Sequence, residues 1–153
     1  MSTILLYTDS VRITEALGLH PEDLSETLFT QGDLERMLRA DLYIWLPTHA
    51  NYVVAVGSVA SDEEVFRADC LSLFCTYFCA SRILETGLGI MSKESDGQSE
   101  YTRISSLDLR AVSIDMEGRA AKYKQFLLGT IQLVEQAAPP VTIITPSYDP
   151  VTG

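Results

Sequence analysis

The sequence predicts a mainly α-helical chain: a small helical bundle with a long central helix, a short β-hairpin or strand insert and an extended C-terminal arm. Three observations lead there. Leu34, Met37, Leu38, Leu42, Trp45 and Leu46 recur at three- and four-residue spacings, the period of an amphipathic helix. Val65 to about Leu88 is apolar on nearly every side around Cys70 to Ala80, which implies that other elements or neighbouring subunits surround it. Pro139-Pro140 then stops the helical pattern and releases Val141 to Gly153, in which Pro146 and Pro150 also exclude a helix.

Each element follows from local signals. Asp9 or Ser10 caps a first short helix, Val11 to Leu17, ended by Gly18, with Val11, Ala16 and Leu17, and Ile13 beside them, facing inward. His20-Pro21-Glu22-Asp23-Leu24 opens a second helical turn that runs toward Leu28 and Phe29, with proline in the first turn and acids after it. Gly32-Asp33 begins the helix Leu34 to Leu46, which Pro47 ends. Tyr52 to Gly57 reads either as a strand, on its β-branched residues, or as an irregular connector. Ser61-Asp62-Glu63-Glu64 has the spacing of a capping box, so the central helix starts here.

Beyond it, Lys93 to Ser99 is polar and contains glycine, as a loop does. Residues 100–104 and 112–116 alternate apolar and polar side chains, the pattern of half-buried strands, with Ser105 to Arg110 as a hairpin connection. One irregular strand leading into the last helix is the alternative. That helix, roughly Gly118 to Gln136, places Ala120, Leu127, Ile131 and Val134 on one face, with Phe126 beside it and Gly129 as a close-approach point.

A chain of 153 residues with 46% hydrophobic content suffices for one core, so residues 1–138 are read as one helical domain and 139–153 as the arm. The formal charge of −10 argues against a surface that grips nucleic acid, because phosphate binding needs an excess of Lys and Arg. Met1 to Tyr7 has neither the basic start nor the apolar length of a signal peptide, which predicts a chain that stays in the cytoplasm where it is made. The apolar run Cys70 to Ala80 is too short to cross a bilayer.

The search for reactive chemistry yields little. Cys75 and Cys79 share a helical face, but a zinc site needs four ligands, and Cys70, His20 and His49 stand at no motif spacing. The three cysteines lie among Leu71, Leu73, Phe74, Tyr77 and Phe78, which predicts buried, reduced thiols. His20 and His49 read as surface or capping residues. Gly87-Leu-Gly89 lacks the later glycine and the Lys-Ser/Thr of a phosphate loop, and reads as a helix end. Trp45 and Leu46 read as core, with an exposed interface anchor as the alternative. No catalytic residue, metal or cofactor is expected.

The arm differs. Val141, Thr142, Ile143, Ile144, Thr145, Pro146 and Tyr148 are too apolar and β-branched for an ordinary linker, and predict a partner-binding segment that docks by strand addition or in a groove. A disordered C-terminus is the plain alternative.

The order of parts adds a resemblance. A short opening helix with Ala16-Leu-Gly-Leu-His-Pro-Glu-Asp-Leu24, a helix ending Tyr43-Ile-Trp-Leu-Pro47, a long apolar central helix, a polar or strand-like insert and a final amphipathic helix together resemble tailed-bacteriophage head-to-tail connector (adaptor) proteins over residues 10 to 137. The link Thr48 to Ala60 is less regular than that family's. The resemblance implies a non-enzymatic helical subunit of the virion neck, made in the host bacterial cytoplasm. The resemblance further implies a homo-oligomeric ring, commonly twelve-fold, beneath the portal protein and against a tail-side neck or stopper protein. DNA passes through the lumen without specific binding, and no membrane is involved. Residues 141–148 would then grip the portal or an adjacent subunit, and the insert Lys93 to Asp115 would face the tail-side partner or the lumen. Two rivals remain: another phage neck or tail-completion protein, and a small helical enzyme or ligand-binding module whose pocket is lined by Tyr77, Trp45 and the cysteines.

Overall fold

The computed structural model describes residues 3–20, 24, 26–30, 33–55, 57–86 and 106–137. The chain opens with a small antiparallel pair, β1 (Ile4–Leu5) and β2 (Thr8–Asp9), in the register Ile4 with Asp9 and Leu5 with Thr8. Tyr7 closes the turn at φ 63°, a left-handed conformation that side chains other than glycine rarely adopt. A hydrogen bond of 2.7 Å between the hydroxyls of Thr8 and Thr76, both buried, ties β2 to the bundle. Asp9 then caps α1 (Ser10–Ala16) by accepting from the Arg12 amide. Ile13 and Thr14 are its buried residues, while Val11, expected inward, is exposed.

α2 (Glu26–Thr30) is short and buries Phe29. α3 (Asp33–Trp45) buries Leu34, Leu38 and Leu42, and Leu46 just beyond it is also buried, as their spacing predicts. Met37, expected on that face, is exposed. Pro47 follows, and the link contains a single 3-10 turn, His49–Tyr52, before Val53 continues in extended conformation. The connector reading of 52–57 therefore holds over the strand reading among the described residues.

Two long antiparallel helices form the body. α4 (Asp62–Thr86) has 25 residues and α5 (Ser106–Ala137) has 32, roughly 37 and 48 Å of helix. Their register is set by Ser113 Oγ donating to the Ser81 carbonyl (3.3 Å), Arg82 near Glu117 (3.8 Å) and Tyr77 stacked on Tyr123 at 5.7 Å between centroids. Each step back along α4 matches a step forward along α5. That brings the last turn of α5 to the end of the hairpin where α4 begins.

α5 corrects two expectations. Val112 to Met116 is helical; its apparent alternation arises because the small polar Ser113 is buried with Met116, Ala120 and Leu127, a three- and four-residue series that continues the last helix backwards. Among the described residues the β element is the N-terminal pair β1 and β2. Gly129 makes no close approach: a Cβ built there meets nothing within 4 Å. The loop 93–99, the strand 100–104, Gly87 to Gly89 and the arm 139–153 lie outside the described residues.

The core is one cluster in which Leu71, Phe74, Cys75, Phe78 and Cys79 of α4 meet Ile13, Leu38, Leu42 and Leu127 of α1, α3 and α5. The apolar stretch Cys70 to Ala80 is thus covered largely by the chain's own helices, and neighbouring subunits are not needed to bury it.

Candidate functional site

The partner-binding residues expected from the sequence, Val141 to Pro146 and Tyr148, lie outside the described residues. The body nevertheless presents surfaces on which partners could act. Two adjoining clefts share Tyr52, Val53 and Val54 between the connector and the first half of α4. One, of about 380 Å³, is also lined by Val59, Ala60, Glu64 and Arg67. The other, of about 300 Å³, is also lined by Tyr7, Arg12, Val65 and Leu71.

The connector is open because the sequence leaves it so. Val53 has φ −105° and ψ 126°, an extended backbone. Among the described residues, neither Val53 nor Val54 forms a backbone hydrogen bond outside the 3-10 turn. Val53 and Val65 stay about half exposed, and Val59 is fully so.

Charges around the groove are mostly committed. Glu64 accepts from the Ser61 amide (2.8 Å) and hydroxyl (2.9 Å), and these bonds hold its carboxyl below the usual carboxylate range. The Arg67 guanidinium donates through Nη2 to Glu63 (3.0 Å), while its buried Nε has no acceptor among the described residues. Arg12 donates to Ser72 Oγ at 2.7 Å. Tyr7 and His49 Nδ1 share a 2.6 Å hydrogen bond, and burial, then Cys75, push the phenol up against the opposing charge of Arg39. His49, expected at the surface or as a cap, is thus half-buried and joins the 3-10 turn to the first hairpin. Nothing in the sequence around His49 announces a partner 42 residues away.

Large apolar side chains are also exposed on both flanks of the α4–α5 hairpin. Lys124 lies 4.6 Å from the Trp45 ring, so that flank of α5 faces α3. Phe126 and Leu133, rotated roughly 200° and 180° from Lys124 about the helix axis, fall on the other flank, and both are exposed. On the α3 side, Tyr43 and Ile44 are 69% and 83% exposed, values more typical of charged residues. Trp45 itself packs edge-on to Phe74 and donates Nε1 to Asp41 at 2.9 Å, which supports the core reading over the anchor reading.

Trp45 packs on Phe74 and Tyr77 on Tyr123, while the three cysteines are buried in the core. Cys70, Cys75 and Cys79 are buried and free of disulfides, as expected. Burial pushes the Cys79 thiol up to about 12. Burial, with Cys79 and Asp41 nearby, raises Cys75 further, and burial and Asp69 raise Cys70. Protonated thiols are poor nucleophiles and poor metal ligands. Among the described residues no cluster of His, Cys, Asp or Glu could hold a metal, and no helix is long and apolar enough to cross a membrane.

The chain matches no protein-family model, no curated protein and no solved structure.

Proposed function

We propose that the chain is a structural subunit of a tailed-phage neck: a head-to-tail adaptor that forms a ring under the portal and extends the DNA channel toward the tail-side stopper. The observation that carries this reading is the pair of exposed apolar sets, Tyr43 and Ile44 on one flank and Phe126 and Leu133 on the other, on a body whose core is complete without them. A head-to-tail contact needs two different surfaces on each subunit, and repetition of such a contact makes a ring when its rotation closes. The formal charge of −10 suits a channel that DNA must traverse without binding. Residues 141–148 supply the arm that grips the portal or a neighbouring subunit.

The test is complementation between Ile44→Asp and Leu133→Asp, followed by sedimentation velocity, with and without portal, where the unaltered chain assembles. Each variant alone should remain monomeric. Mixed, they should form dimers and nothing larger, because one intact flank of each remains to pair. Dimers of either variant alone would contradict a head-to-tail contact, and an unaltered chain that stays monomeric under every condition would contradict the ring.

A further inference from the structure

We propose that residues 141–145 dock on the chain's own connector, adding a strand beside Val53 to Ala55 and laying alternate side chains into the groove. Place, backbone and chemistry all favour that segment as the occupant. The chain leaves α5 at Ala137, at the end of the hairpin where α4 starts, and Val59 and Ala60 of the groove immediately precede that start. Three residues lie between Ala137 and Val141, and the four steps reach at most about 14 Å. So short a tether keeps the start of the arm at the end of the hairpin where the groove lies.

The backbones complement one another. Val53 is extended, and neither it nor Val54 makes a backbone hydrogen bond outside the 3-10 turn among the described residues, whereas Val141-Thr-Ile-Ile-Thr145 has the β-branched composition of a strand. Strand addition would pair alternate residues along this edge, with the Ala55 carbonyl already accepting from Ser58. Its period of two puts Val141, Ile143 and Thr145 on one face, toward Val53, Val59 and Val65, and leaves Thr142 and Ile144 on the other.

This inference does not rest on the ring reading. If both hold, the free subunit shields its arm on its own body, and a partner engages the arm by exchanging it out of the groove.

Disulfide trapping tests it in the full chain. Val54→Cys is combined in turn with cysteine at each of positions 141 to 145, the chain is oxidised, remaining thiols are blocked, and products are separated without reductant. The buried native thiols should stay reduced. An intramolecular bond, strong at alternate positions, is expected. Cross-linked dimers or larger species would overturn the same-chain arrangement in favour of an arm on a neighbour, and no bond at any position would overturn docking altogether. Hydrogen exchange guards against misfolded variants: Ile143→Pro in the full chain should speed exchange of whichever of the adjacent Val53 and Val54 amides faces the added strand at least about tenfold, and leave the other unchanged. Equal rates would overturn the strand.

Discussion

Gly129 sits in the middle of α5 with room for a side chain, because nothing comes within 4 Å of a Cβ built on it. Glycine in a helix interior costs about 0.5–1 kcal/mol relative to alanine, through its larger loss of backbone freedom on folding. Gly129→Ala should therefore raise the urea midpoint by an amount equivalent to that energy. A lower midpoint would show that the position needs glycine after all. The residue scale is also where sequence reading reached least far. Burial of the cysteines was legible from their apolar neighbours, but exposure of Met37 and burial of Ser113 were not. Helical spacing identifies a stripe, not which edge of the stripe a neighbour covers. Tyr7 gave no sign at all: its left-handed backbone and its bond to His49 depend on tertiary packing.

Elements were legible where their ends carry chemistry. Asp9 caps α1, Pro47 follows α3, and Ser61 with Glu64 forms a capping box at α4: the Ser61 hydroxyl accepts from the Glu64 amide at 3.3 Å while Glu64 accepts in return. Ser61→Ala should cost about 1 kcal/mol in chemical denaturation at neutral pH. The sign of the acid dependence follows from the lowered pKa of Glu64. Its contribution is complete above the ordinary carboxylate range and is lost as pH falls through the folded value, so the difference between Ser61→Ala and the parent should shrink toward low pH. A difference that persists unchanged below that value would contradict the box as its source. Elements without end signals were misread. Residues 112–116 alternate in polarity over too short a window to separate period two from period 3.6, and the first hairpin has strands of two residues each, too short for any pattern.

At the scale of the whole molecule, the mainly helical class and the long central helix were legible because apolar periodicity sums over many residues. The surfaces were not. Tyr43, Ile44, Phe126 and Leu133 look in sequence like ordinary members of amphipathic helices, and only the packing of α3, α4 and α5 shows that the chain leaves them uncovered. Likewise the groove beside Val53 arises from residues on both sides of the α4 start, which no local window joins. The adaptor reading depends on whether those surfaces meet other copies of the chain beneath a portal. Native mass spectrometry of the protein, alone and mixed with the portal oligomer encoded in the same genome, tests this most directly. The account predicts that the chain joins the portal in a fixed multiple, near twelve copies; absence of association at every mixing ratio would contradict it.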